Sequence, residues 1–217
     1  MFVEEKLKEI SLNQELKEKA LKWLQNKNKN CRGCDIKKDY QEHLAVPGHG
    51  SCNAGIFIVG EAPGNDEMLA GKPFVGRAGK KLDEAIEEAG LNRDELYIHN
   101  ILSCRPLDNK FPHHKTKEIQ ICRNWLTAEL GIIRPKVVIA VGKVPYEYLL
   151  GLKNTRITNE RGVQIPWYIK ELDLKTILIP TLHPSYCMRK VNMGDNHPYE
   201  CMVQDLALAK KINKESI

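Results

Sequence analysis

The sequence predicts an α/β protein built on a mostly parallel sheet of about four strands, with helices between them. Three features carry that reading. Apolar runs at 56–59, 95–102, 136–142 and 176–182 alternate with helical patterns. The run Lys136–Gly142 (KVVIAVG) is almost continuously apolar, as in a parallel strand buried on both faces. Three of the runs also deliver polar residues: Glu61 and Glu67 after the first, Asn100 in the second, His183 after the fourth. Open parallel sheets build ligand sites at the carboxyl ends of strands, so these groups are expected to cluster.

Taken in order, Phe2–Asn26 sets Leu7, Ile10, Leu16, Leu21 and Leu24 among lysines and glutamates, the pattern of one or two amphipathic helices. A break is expected near Ser11, a candidate N-cap with Glu15 close by. The polar run Asn26–Asn30 should end this segment, and residues 1–30 should pack as a helical cover on a single domain spanning 1–217. The first strand stops at Gly60 and feeds the turn Glu61-Ala62-Pro63-Gly64. Gly76–Gly90 reads as a helix with Ala78, Leu82, Ile86 and Ala89 on one face and Gly90 at C′. After the second strand, Thr116–Leu130 is a helix carrying Cys122. After the third come a short helix, Val144–Leu150, and a basic loop, Lys153–Gly162. The fourth strand is followed by a closing helix, Asp195–Ile212.

Composition bounds the function. The chain has 217 residues, 42% hydrophobic and 28% charged, which suits one domain with a substantial core. No apolar run approaches the ~20 residues of a membrane span. Glu4 and Glu5 stand where a signal peptide would be basic, so a soluble cytoplasmic protein is expected. A net charge of +5 permits a nucleic-acid partner without requiring one. Seven cysteines, an odd number, argue against a disulfide framework and for a metal, a cluster or buried thiols.

Two stretches carry chemistry. The connection Glu61–Val75 holds three acids (Glu61, Asp66, Glu67), Phe74 and several glycines and prolines. Connections of this kind usually run ~2–6 residues, so this one reads as an active-site loop. Cys31-Arg-Gly-Cys34 is a C-x2-C pair on a glycine turn, a spacing that lets two thiolates converge on one centre. Cys104, beside the Asn100 strand end, and Cys122, with 17 residues between them, complete a candidate set of four ligands. Cys52 reads as a structural thiol, with Cys187 and Cys201 as spares. Four thiolates suit zinc or an iron–sulfur centre equally.

These blocks together resemble a known family. GEAPGNDEMLAGKPFVGRAGK, NILSCRP, RPKVVIAVGK and LHPSY, with C-x2-C upstream and Cys122 between, look like the family 4, iron–sulfur type of uracil-DNA glycosylase. The resemblance runs from about Cys31 to Arg189, in order. It implies a three-layer αβα sandwich and hydrolysis of the glycosidic bond of uracil in DNA. The partner expected is uracil-containing DNA, single- or double-stranded, and the chain is expected to be a monomer. It also implies a [4Fe–4S] cluster on Cys31, Cys34, Cys104 and Cys122, structural rather than redox-active. Carried over by position, Phe74 stacks on the flipped base, Asn100 reads its polar edge and His183 donates to uracil O2. Glu61, Ala62 and Glu67 line the pocket. Ser185, with Met188 or Arg189 as the wedge, meets the DNA. The best-known uracil glycosylases carry Asp where this chain has Ala62. That leaves Asn100, Glu61 and Glu67 as candidates for positioning the attacking water. Arg105, Lys110, Lys143, Arg156, Arg161, Arg189 and Lys190 are expected to contact phosphates. Two other readings are a zinc-bearing nucleic-acid-binding module without catalysis and a glycosylase of this fold for another deaminated base.

Overall fold

The computed structural model describes residues 2–36, 45–112 and 116–215. Part of the expected Asp35–Ser51 loop, and His113 and His114, lie outside the described residues. The order of elements begins with helices α1 (Phe2–Ser11) and α2 (Gln14–Lys29), then strands β1 (His49–Gly50) and β2 (Ile56–Gly60). Helices α3 (Asn65–Ala70) and α4 (Arg77–Glu88), strand β3 (Tyr97–Asn100) and helix α5 (Lys117–Ile133) follow. Then come β4 (Val137–Val141), α6 (Lys143–Leu150), α7 (Ile157–Glu160), β5 (Ile165–Ile169), β6 (Leu174–Thr181), α8 (Pro184–Val191) and α9 (His197–Lys214).

The sheet order is β1-β3-β2-β4-β6-β5. The four expected strands, β3, β2, β4 and β6, form its parallel centre, and β1 and β5 add antiparallel edges. Strand alternation divides the molecule into two cores. Ile56 and Ile58 of β2 join Ile98, Ile139 and Ile179 under α4, α8 and α9. Phe57 and Val59 join Tyr97 and Val138 under α2 and α5. Helices therefore cover both faces, giving three layers.

Local chemistry explains most boundaries. Gly90 lies at φ +68°. The Gly90 N–H donates to the Glu87 carbonyl at 2.8 Å and the Leu91 N–H to the Ile86 carbonyl at 2.9 Å, a Schellman stop for α4. The expected cap at Ser11 is displaced. Ser11 ends α1, and Asn13 caps α2, its Oδ1 accepting from the Leu16 N–H at 3.1 Å. The polar run Asn26–Asn30 does not stop α2 early. Asn28 is fully buried and donates to Ser103 Oγ at 3.0 Å, so a tertiary contact prolongs the helix to Lys29. The expected loop Lys153–Gly162 contains the four-residue helix α7.

Candidate active site

Strands β2 and β3 run parallel with Gly60 opposite Asn100, so both reach the carboxyl edge of the sheet on the α4 face. Asn100 is buried, and its Oδ1 has no hydrogen-bond partner among the described residues. A Cβ on Gly60 would lie 2.2 Å from that oxygen and 2.5 Å from Phe74 Cε2. The amide and the aromatic ring therefore converge on a position that tolerates only hydrogen.

Phe74 is buried and adopts φ +53°, a strained setting for an aromatic residue. Two contacts hold it there. A Cβ on Gly79, in the first turn of α4, would lie 2.1 Å from the Phe74 carbonyl, so the helix start packs directly on its backbone. The Glu67 carboxylate ties down the rest of the loop. One oxygen accepts from Gly64 N–H at 2.9 Å, the other from Val75 N–H at 2.9 Å and Gly76 N–H at 2.8 Å. Glu67 thus braces both ends of the connection it sits in. Glu61 is different. It is half-buried, and burial alone pushes its carboxyl above the ordinary range. Ala62 packs toward the α2–α5 core.

His183 enters from β6. Its ring lies 6.4 Å from that of Phe74, tilted by 39°. It also caps α8: Nδ1 accepts the Ser185 N–H at 3.2 Å. An accepting Nδ1 places the ring proton of neutral imidazole on Nε2. Burial, and then the charge of Arg189, lower the His183 pKa to about 4, so the neutral form holds at physiological pH. Gly142, at φ +98°, closes the other side; a Cβ there would meet His183 Cβ at 3.2 Å.

Helix α8 occupies the segment expected to meet DNA. Cys187 is fully buried and Met188 half-buried, while Arg189 is exposed and Ser185 half-buried. Of the two candidate wedges, Arg189 is therefore the one that projects. Arg161 is not a free cation: its guanidinium grips buried Asp205 and donates to the Cys201 carbonyl at 2.7 Å.

The four candidate ligand thiols lie on the α5 side of the sheet. Burial pushes the Cys122 thiol up to about 12, and Cys104, Cys34 and Cys31 are near enough to push it the same way. The Ser103 backbone N–H faces Cys122 and favours its thiolate. Gly33 lets the C-x2-C turn sit on α5, since a Cβ there would lie 2.8 Å from Ile121 Cδ1. Among the described residues no group of three or more His, Cys, Asp or Glu is gathered tightly enough to hold a metal ion. The donor set, four thiols from three segments with Cys104 and Cys122 buried, fits a thiolate-ligated centre in chemistry.

Sequence reasoning missed Gly60, Gly142 and Ser103. The two glycines have a legible signal, each ending a strand run beside a site residue. Ser103 has none beyond its place before Cys104.

Residues 47–207 match the profile of the Uracil DNA glycosylase superfamily. The chain is 34% identical to a type-4 uracil-DNA glycosylase of Thermotoga maritima, over 92% of this chain and 97% of that protein. It is 37% identical to the type-4 enzyme of Pyrobaculum aerophilum, over 75% of this chain and 81% of that protein. A type-5 uracil-DNA glycosylase of the same organism matches at 28%, over 55% of this chain and 62% of that protein. No helix among the described residues is long and apolar enough to cross a membrane. By these likenesses, and with a fold that agrees, the chain belongs to the uracil DNA glycosylase superfamily, among its type-4 members.

Proposed function

We propose that the chain removes uracil from DNA by hydrolysing its N-glycosidic bond. The observation that carries the reading is the convergence at Gly60 of the Phe74 ring and the unsatisfied Asn100 amide, with His183 beside the ring. A stacked base is out of reach in a duplex, so the nucleotide must be flipped at a cost of a few kcal/mol. Stacking on Phe74 returns ~1–3 kcal/mol of that. The buried Asn100 oxygen accepts uracil N3–H and its NH₂ donates to O4. Cytosine lacks the N3–H, and a buried polar group left unpaired discriminates strongly.

Cleavage leaves negative charge on uracil O2. His183 Nε2–H is the donor aimed at it, and losing one such donor costs ~10²–10³ in rate. Glu61, whose carboxylate has no partner among the described residues, positions the water; Glu67 already gives both oxygens to the loop. Arg189 leads the α8 contact with DNA, and the enzyme works as a monomer. Cys31, Cys34, Cys104 and Cys122 would hold a [4Fe–4S] cluster, as the family resemblance implies, and their three segments would be ordered by that ligation. Relatives of both types carry uracil-DNA glycosylase in their names, which supports uracil as the base.

The test is uracil release from an oligonucleotide with a single uracil, read by alkaline strand cleavage. Wild-type protein should cut only at uracil. His183→Ala should lose about 10²-fold in rate while still binding DNA. Wild-type rates in that variant would remove His183 from the reaction, and no release from folded wild-type protein would refute the activity.

A further inference from the structure

Successive residues of a strand face opposite sides of the sheet. At the end of β3, Asn100 faces the uracil pocket and His99 the thiol side. His99 is fully buried. Its Nδ1 stands 2.7 Å from Glu129 Oε2, both side chains 1% exposed, without the alignment of a hydrogen bond. Glu129 lies on α5 two turns beyond Cys122, on the same helix face. His99 Nε2 lies 3.4 Å from Ser103 Oγ, which also accepts from Asn28 Nδ2 at 3.0 Å. The Ser103 carbonyl accepts the Val46 N–H at 2.6 Å, and its own N–H faces the Cys122 sulfur. Gly48 seals the cluster, since a Cβ there would lie 2.3 Å from Glu129 Oε2 and 2.5 Å from Tyr97 Cε1.

None of these groups has a part in base excision. A buried imidazole and carboxylate are nevertheless costly, and apolar residues of similar volume would commonly be as stable or more so. The best-attested use of such a pair is to select one arrangement among several. Here the side-chain contacts of His99 and Asn28 converge on Ser103, the residue between the Asn100 strand end and Cys104.

We propose that Glu129, His99 and Asn28 form a positioning clamp on Ser103. The clamp aims the Ser103 N–H at Cys122, presents Cys104, and fixes the strand end that carries Asn100 into the pocket. The thiol half stands independently of the glycosylase reading; only the consequence at Asn100 rests on it.

The variants are Glu129→Gln, the double His99→Leu with Glu129→Leu, and Ser103→Ala beside Ser103→Thr. The first readout is the rate at which Cys122 and Cys104 of metal-free protein react with a maleimide, resolved by peptide mass. The second is persistence of visible absorbance in chelator after reconstitution with iron and sulfide. The third is the split of kcat and KM in uracil release. The double variant should fold, because both buried polar partners leave together and neither is left stranded. In it, and in Ser103→Ala, alkylation should rise about tenfold, as opening free energy falls by roughly one buried hydrogen bond. Absorbance should decay faster, and kcat should fall with little change in KM. Ser103→Thr, which keeps the hydroxyl, should restore wild-type alkylation. Wild-type alkylation rates in folded Glu129→Gln and Ser103→Ala would overturn the clamp. If the double variant fails to fold, the two Ser103 variants decide. Absent uracil release in wild type, with altered alkylation in the variants, would refute the glycosylase reading and leave the clamp standing.

Discussion

Gly60 shows how narrow the tolerance of this site is at the scale of one residue. A methyl there would sit 2.2 Å from Asn100 Oδ1 and 2.5 Å from Phe74 Cε2, so one of them must move. Gly60→Ala should lower kcat/KM for uracil release by about 10²-fold, the usual result of misplacing a reacting group by an ångström. Binding to uracil-free DNA, followed by fluorescence anisotropy, should hardly change. Unaltered catalysis would place the pocket elsewhere. His183 makes a second residue-scale prediction, in stability. Its folded pKa is about 4, against about 6.5 in an unfolded chain. Between those values the unfolded chain binds a proton that the fold refuses. The contribution is therefore complete above pH 6.5 and lost as pH falls toward 4. The urea midpoint should drop more between pH 7 and pH 5 in wild type than in His183→Gln. Equal drops would mean that the ring titrates normally.

At the scale of elements, the connection between β2 and α4 works because Glu67 holds both its ends. The Glu67→Ala change leaves three backbone N–H groups without their acceptor. Charge-assisted bonds of this kind contribute roughly 1.5–3 kcal/mol each and do not add simply. The amides of Gly64, Val75 and Gly76 should then exchange with deuterium much faster than in wild type, while those of β4 stay protected. Uniform exchange across both regions would show that Glu67 supports the whole fold rather than the loop. This role was only half legible. Gly64-x-x-Glu67 has the form of a capping box, but with glycine at the cap it gives little signal. The parallel strands were legible because burial on both faces leaves a continuous apolar run. Strand β5 was not, because it carries Pro166, its exposure alternates, and it pairs on one side alone. Strand β1 has two residues and no pattern to find. Helix α8 hid behind the HPSY turn, and with it the fact that Cys187 turns inward while Arg189 projects. The spacing of Cys31, Cys34, Cys104 and Cys122 offers a candidate ligand set in the sequence, and the structure puts Cys31, Cys34 and Cys104 near Cys122. The polar clamp between β3 and α5 was not, because its partners are far apart in sequence and each alone looks like an ordinary core residue.

Across the whole molecule, one buried ion pair ties the last helix to the carboxyl edge of the sheet. Asp205 of α9 is 1% exposed. It accepts from Thr181 Oγ1 at 2.7 Å, at the end of β6 and two residues before His183, and from the Arg161 guanidinium. The backbone beside Arg161 is anchored too, with Gly162 N–H donating to the Pro180 carbonyl at 2.8 Å. Burial raises the Asp205 carboxyl even against the pull of Arg161 and Thr181. The charged pair is therefore expensive to bury, and its worth lies in joining α9, β6 and the loop before β5. Removing one partner strands the other charge. Asp205→Asn should cost ~3–5 kcal/mol in urea unfolding, whereas Asp205→Leu with Arg161→Met, which removes both charges, should cost clearly less. The single variant should also lower the rate of uracil release, because one amide oxygen must then serve both Arg161 and Thr181 where two carboxylate oxygens did, loosening the strand that leads to His183. If the double variant is as unstable as the single one, the pair is a net attraction that apolar packing cannot replace. If the single variant keeps the wild-type midpoint, Arg161 has found solvent and the edge of the sheet does not depend on α9.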